Sequence, residues 1–263
     1  MKIDDIPILV FFLATCIIVV LSMDAGYRVG NNIHKSFGME KESPVSGISG
    51  SILGLLVFIL VFTFNIVSER YDTKRGLVRE EAGAIRTTWM RSDFLPEPDR
   101  SQTRELLKKY VDMRANVLQY TKSNQLEEKM VRSVKIQDKL FAIAVVNARK
   151  DMNSDVAALY IESLNEMINF HFMRVAIGWQ ARIPNGIWFV LFLLVILSMF
   201  AVGYQTAIAD SSRSWSTLIL AISFSIVITL IAILDRPESE FITVSQQSMI
   251  DLNTYIHAET DGK

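Results

Sequence analysis

The stretch GLLVFILVFTFNIVSERYDTKR, residues 54–75, begins as membrane-type sequence and ends as one of the most charged parts of the chain. No proline or glycine separates its apolar half from its charged half. Because these two residues interrupt helices most readily, their absence favours one continuous helix. The stretch therefore predicts a membrane span that leaves the lipid and continues, unbroken, into the aqueous phase.

The composition of the chain also indicates a membrane protein. Half of its 263 residues are hydrophobic and 21% are charged, a mixture that suits membrane spans joined to a polar domain better than one soluble core. The net charge of -1 gives no reason to propose a nucleic-acid partner. The only cysteine is Cys16, so no disulfide within the chain argues for an oxidising compartment.

Apolar residues collect in four blocks, at 6–23, 48–67, 186–207 and 215–234. Each is about long enough to cross roughly 30 Å of hydrocarbon as a helix. The first block has a signal peptide as its alternative. Its leading residues MKIDD carry one lysine against two aspartates, and no clear small-residue cleavage site follows, so we favour an uncleaved span.

Four spans place both termini and the long middle segment on one side of the membrane. Basic residues near the span ends are more numerous on that side, which predicts that it is cytoplasmic in the cell inner (plasma) membrane. We therefore predict an all-α, multi-pass membrane protein with a helical cytoplasmic domain between spans 2 and 3. Its predicted parts are a first membrane hairpin, a helical domain, a second hairpin and a cytoplasmic tail, at residues 1–68, 69–184, 185–236 and 237–263.

The middle segment shows helical periodicity throughout and one strong break at LPEP, residues 95–98. The helix after this break repeats Leu106, Tyr110, Met113, Val117 and Tyr120 along one face. His171 lies five and nine residues after Glu166 and Glu162, a spacing that does not bring three ligands to one helix face, so we interpret it as a packing histidine. We expect no metal, no cofactor and no enzymatic activity.

Heptad steps along the second span select an unusual stripe of side chains. Leu55, Phe58 and Phe62 form an apolar segment suited to the neck of a pore that closes by excluding water. Polar and acidic residues continue the stripe as a vestibule: Asn65, Glu69 and Asp72. The alternative is that the two phenylalanines face lipid or a neighbouring helix and that Asn65 lies at the headgroup level. Because four spans enclose little space, conduction requires several copies around an axis.

Other charged and small residues have structural interpretations. Gly50 and Gly54 form a small-xxx-small pair that allows a second helix to approach closely. Glu80, Glu81 and Arg86 are expected either to form buried ion pairs between helices that fix subunit register or to remain exposed and solvated.

Several blocks of the chain resemble the bestrophin-like family of bacterial membrane proteins. They are YRVG after the first span, GLLVFILVFTFNIVSERYD with REEAGAIRTTWMRSDFLPEP, LNEMINFHFMRVAIGWQARIPNGIW, and LDRPESEFITVSQQSMIDL. The more distant bestrophins are pentameric ion channels with four membrane helices per subunit, cytoplasmic termini and a hydrophobic neck on the second span.

The resemblance implies a homo-oligomer, most simply a pentamer, that contacts membrane lipid and passes ions, with its neck at Leu55, Phe58 and Phe62. Carboxylates at Glu69 and Asp72 favour cations, but the neighbouring basic residues leave the choice of ion open. The alternative function is a non-conducting membrane scaffold or sensor whose cytoplasmic helical domain binds a partner.

Overall fold

The computed structural model describes residues 6–37, 42–115, 123–151, 154–209, 215–236 and 242–261. Within these ranges every regular element is a helix, and no strand occurs, which confirms the all-α prediction. The α-helices are α1 (Ile8–Phe37), α2 (Glu42–Arg91), α3 (Asp99–Ala115), α4 (Ser123–Lys150), α5 (Asp155–Val175), α6 (Asn185–Ile208), α7 (Trp215–Asp235) and α8 (Gln247–Asp261). A 3₁₀ turn at Ser92–Phe94 follows α2, and a π-helical turn at Ala176–Gln180 follows α5.

The chain divides into two compact units. The membrane unit comprises Met1–Tyr71 and Arg182–Thr243, and the helical unit comprises Asp72–Ala181 and Val244–Lys263. The predicted domains, at residues 1–68, 69–184, 185–236 and 237–263, also assign each segment to the membrane or to the cytoplasm. That assignment stays a prediction.

The membrane unit contains the segments suited to cross a bilayer. Among the described residues four helices are long and apolar enough, at Ile8–Ser36, Ser43–Phe94, Asn185–Ile208 and Thr217–Asp235, as predicted. Helix α2 runs for 50 residues without interruption, which confirms that the second span continues as a helix. Helix α1 also extends beyond its predicted apolar block. An ion pair of 2.6 Å joins Arg28 to Asp24 one turn earlier in this extension.

Glycine brings α1 and α6 into backbone contact. A Cβ added at Gly26 would lie 2.0 Å from the carbonyl oxygen of Phe200, and one added at Gly203 would lie 2.1 Å from the carbonyl oxygen of Met23. These distances leave no room for a methyl group on either helix. The two contacts are reciprocal, so the helix axes cross where each helix presents a glycine to the main chain of the other.

We expect Gly203→Ala to destabilise the membrane unit by about 1–3 kcal/mol, because the new methyl group meets main-chain atoms that cannot rotate away. Thermal unfolding of the purified protein in detergent measures this change. Gly186→Ala is the matched control, since a Cβ at that position meets no atom within 4 Å. Equal melting temperatures for the two variants would contradict the close approach of α1 and α6.

The helical unit has a separate apolar core built on the second half of α2. Helix α8 contributes Met249, Leu252 and Ile256, which are all buried. Leu95 joins this core from the segment between α2 and α3, and the other members come from α2, α3, α4 and α5. The largest fully buried ones are Trp89, Tyr110, Tyr160, Leu107, Leu140, Leu164, Met167 and Ile85. The C-terminal segment therefore packs against its own helical unit.

Candidate functional site

The predicted neck lies on the exposed face of α2. Leu55, Phe58 and Phe62 are 51%, 65% and 55% exposed, whereas Leu56 and Leu60 on the opposite face are buried in the core of the membrane unit. Helix α2 thus places one apolar side against its own subunit and presents the other side outward. The outward side is available to water, to lipid or to another copy of the chain.

The predicted vestibule continues the same exposed face. Asn65, Glu69 and Asp72 are all exposed. The stripe on α2 therefore changes from apolar side chains to an amide and then to carboxylates, and every residue of the stripe is exposed.

The small-residue pair also lies on the exposed side of α2. A Cβ added at Gly50 or Gly54 would meet no atom within 4 Å. The described part of the chain places no helix against them, so their role in packing against a second subunit stays a prediction. On the other side of α2, the Ser49 hydroxyl donates to the Ala201 carbonyl at 3.1 Å, and the Ser198 hydroxyl donates to the Ile52 carbonyl at 3.3 Å, which ties α2 to α6.

A largely buried ion pair connects α2, at Arg70, to the end of α7. Arg70 lies 2.7 Å from Oδ1 of Asp235, and that oxygen also accepts the backbone N–H of Ile183 at 2.9 Å. The carboxylate of Asp235 therefore joins α2, the end of α7 and the entry to α6. Arg236, the next residue, donates to the Ile6 carbonyl at 2.5 Å.

The helical unit buries a charge cluster centred on Glu81. One carboxylate oxygen, Oε2, accepts from Arg114 at 2.9 Å and from Arg174, while Oε1 accepts the hydroxyl of Tyr110 at 2.8 Å. Of the two alternatives left open by the sequence, Glu81 follows the buried ion pair, with partners on α3 and α5. Glu80 and Arg86 are exposed, and the Arg86 guanidinium lies 5.0 Å from the centre of the Tyr255 ring.

The environment of Glu81 fixes its ionised state. Burial raises its pKa, but attraction to Arg114 and Arg174, together with hydrogen bonds, outweighs burial and lowers the pKa well below 4.5. Burial, with the charge of Glu81, raises the pKa of the Tyr110 phenol well above its usual range. At neutral pH the cluster is therefore one carboxylate bound by two guanidinium groups, with a neutral tyrosine as a third donor.

His171 belongs to this cluster as a packing residue. Its Nδ1 lies 3.2 Å from the Tyr110 oxygen, which also accepts from Gln137 at 3.1 Å. Since Tyr110 gives its single proton to Glu81, His171 is the donor in this contact. Glu162 instead bonds Arg91 at 3.3 Å, and the described residues contain no group of three or more side chains suited to hold a metal ion.

A signal for the α1–α6 contact was present in the sequence. Gly26 and Gly30 are four residues apart, the same spacing as Gly50 and Gly54. At Gly30 an added Cβ would lie 2.9 Å from both the Tyr204 carbonyl oxygen and a side-chain carbon of α6. The arginines of the Glu81 cluster carried no comparable signal, because they are far from Glu81 along the chain.

The family of the chain follows from its sequence. A model of the Bestrophin-like domain matches residues 33–249, which is most of the chain. The chain belongs to the Bestrophin-like family. With its four candidate spans, this bestrophin-like protein is a multi-pass membrane protein.

Solved structures of a bacterial bestrophin homologue from Klebsiella pneumoniae share its fold. A point mutant of that homologue superposes with a TM-score of 0.65 at 13% identity, and the match covers 96% of this chain and 99% of that one. Another structure of the homologue gives 0.63 at 12% identity, with 98% and 99% covered. At this identity the likeness establishes the fold alone. No curated protein matches the sequence.

Proposed function

We propose that this chain is the subunit of an oligomeric ion channel whose path is lined by the exposed face of α2. The observation that carries the proposal is that all six stripe residues, from Leu55 to Asp72, are exposed on a helix whose opposite face is buried in its own subunit. A group of such helices around an axis has an apolar constriction next to a carboxylate-lined mouth, the arrangement that a dewetting gate requires. Membership of the Bestrophin-like family and the fold shared with bestrophin homologues support a channel of that type.

The proposed assembly is a pentamer in the inner membrane, with both termini and the helical unit in the cytoplasm. The excess of basic residues at the span ends on the side of the middle segment supports this orientation. Gly50 and Gly54, open in the single chain, are the proposed points of close contact between neighbouring subunits. Lipid surrounds the apolar faces of α1, α6 and α7 that remain exposed.

A second candidate function is a non-conducting membrane scaffold or sensor. Large apolar side chains are exposed on the helical unit, including Phe94, Val131 and Phe172. In this alternative they form a partner-binding surface, and the spans serve only as an anchor. In a channel the same side chains are surfaces for contact between subunits.

Ion flux separates the two candidates. We expect purified full-length protein in liposomes to release trapped potassium or chloride faster than protein-free liposomes prepared in parallel. Images of the oligomer along the membrane normal should show α2 from each subunit around a common axis. Liposomes that stay tight, together with a lipid-filled axis, would establish the scaffold in place of the channel.

A further inference from the structure

Two hydroxyl groups form reciprocal hydrogen bonds between α2 and α6. Ser49 of α2 donates to the Ala201 carbonyl at 3.1 Å, and Ser198 of α6 donates to the Ile52 carbonyl at 3.3 Å. The donor and the acceptor are three residues apart on each helix, so both lie on the same side of that helix. As the residue number rises along α2 it falls along α6, which is the pairing expected of antiparallel helices. We call these two bonds the α2–α6 clamp.

The acceptors of the clamp are unusual for hydroxyl groups inside a helix. Thr15, Ser22 and Thr63 each donate to the carbonyl four residues earlier on their own helix, which is the usual local partner. Ser49 and Ser198 are 3% and 0% exposed, and each bonds the main chain of the neighbouring helix instead. Because these bonds are directional, they specify which side of α2 lies against α6.

Apolar packing does not by itself decide which side of α2 faces the subunit. At the level of the predicted neck the buried side carries Leu56 and Leu60, while the outward side carries Phe58 and Phe62. Because lipid tails are as apolar as leucine, burying either side within the subunit gains little hydrophobic free energy over leaving it in lipid. Hydrogen bonds to the main chain of α6 therefore distinguish the two sides where hydrophobicity does not.

We infer that Ser49 and Ser198 are positioning residues that fix the rotation of α2 about its own axis and thereby turn the predicted neck away from the subunit. The clamp ends at Ile52, one helical turn before the neck begins, so it acts where the orientation of the neck is set. The consequence for conduction rests on the proposed channel function, whereas the rotation of α2 does not.

Other contacts keep α2 attached to its subunit when the clamp is removed. One turn before the clamp, the Gln205 amide donates to the Ser46 hydroxyl at 3.1 Å. Beyond the neck, the ion pair between Arg70 and Asp235 connects α2 to α7. Loss of the clamp should therefore change the rotation of α2 near the neck without detaching the helix.

Spin labels at Val57, Phe58 and Ile59 measure this rotation. These consecutive side chains point in directions about 100° apart, so Val57 and Ile59 flank Phe58 on its two sides. In a Cys16→Ala background each position is replaced singly by cysteine and labelled with a nitroxide in the reconstituted protein. Collision rates with a nickel chelate dissolved in water and with oxygen, which concentrates in lipid, report the exposure of each label whether it faces water or lipid.

Removing both bonds with Ser49→Ala and Ser198→Ala should change the ratio of collision rates at Val57 and Ile59 by roughly twofold or more, because rotation brings one flank out as it takes the other in. Ser198→Ala alone should give a smaller change in the same direction. The single variant keeps the test informative if the double variant assembles poorly.

The matched control is Ser51→Ala. The Ser51 hydroxyl lies two residues from Ser49 but donates to the Gly47 carbonyl of its own helix at 2.9 Å. This variant makes the same chemical change without removing a bond between helices, so the ratio should stay at the parent value.

An unchanged ratio in the double variant would overturn the inference. So would collision rates that rise together at both flanks, because a clamp with only a structural role loosens both sides of α2. Potassium release from liposomes tests the channel separately, and we expect the double variant to leak roughly threefold faster or more, since its phenylalanines no longer face the axis together. Liposomes that stay tight with every variant count against the proposed function, while the ratio still decides the role of Ser49 and Ser198.

Discussion

Phe62→Ala is expected to raise the ion leak through reconstituted protein on the order of tenfold. An apolar constriction blocks ions because water leaves it, and truncating a ring of phenylalanines widens the constriction and lets water remain. Phe58→Ala, one turn away on the same face, should act in the same direction. The measurement is the initial rate of potassium release from liposomes that contain equal amounts of each protein.

The matched control is Phe64→Ala, which makes the same chemical change on the neighbouring face of α2, where Phe64 is 37% exposed. In the proposed assembly Phe64 contacts lipid or another helix, so its truncation should leave the leak near the parent value. An equal increase from Phe64→Ala would indicate general loosening of the protein. No increase from Phe58→Ala or Phe62→Ala would place the constriction elsewhere.

Glu81→Gln is expected to destabilise the protein by about 3–5 kcal/mol, the largest effect on stability that we expect from a single substitution. Removing one partner of a buried ion pair leaves an uncompensated charge, and here two guanidinium groups lose the carboxylate that they share. Thermal unfolding in detergent, followed by circular dichroism, measures the change. Glu80→Gln is the control, because the neighbouring carboxylate is exposed.

The pH dependence of this effect has a definite sign. The folded-state pKa of Glu81 is lowered, so its stabilisation is fully present above the ordinary carboxyl value of 4.5 and is lost as the pH falls through the lower folded value. The stability difference between parent and Glu81→Gln should therefore be constant from pH 7 to pH 5 and shrink only in stronger acid. A difference that already declines between pH 7 and pH 5 would contradict the ionic role of Glu81.

The length and continuity of the spans were predictable because they depend on local sequence. Four apolar blocks identify four spans, and the lack of proline and glycine between Leu55 and Arg75 correctly indicates that the second span continues as the long helix α2. The exposed stripe was also predictable, because residues three and four positions apart, from Leu55 to Asp72, lie on one face of a continuous helix. What it faces depends on other copies of the chain, so its role as a neck is a proposal that the single sequence could raise but not settle.

The buried face of α3 was less predictable. Periodicity indicated a stripe through Leu106, Tyr110, Met113, Val117 and Tyr120, the last two of which lie outside the described residues. The buried residues of α3 are instead Thr103, Leu107, Tyr110, Val111 and Arg114. Apolar periodicity does not identify this face, because two of its buried residues, Thr103 and Arg114, are polar. Arg114 is buried because Glu81, on another helix, compensates its charge, and that pairing is not visible in local sequence.

Spacing alone did not distinguish the two glycine pairs. Gly26 and Gly30 meet α6, whereas Gly50 and Gly54 meet nothing within the described chain, although both pairs have the same four-residue separation. The four-residue spacing indicates only that small residues leave one face of the helix open to close approach by another helix. The identity of the helix that covers it depends on tertiary and quaternary arrangement.

The contact between α1 and α6 also has a consequence for biosynthesis. Helix α1 is translated first, but the helix that fills its glycine surface follows only after α2 to α5 have been made, an interval on the order of ten seconds at typical translation rates. During that interval α1 must remain in the bilayer without its partner, with Gly26 and Gly30 covered by lipid or by the insertion machinery. Ribosome-bound chains truncated before α6 should therefore insert α1, yet remain far more sensitive to protease and detergent than the completed protein.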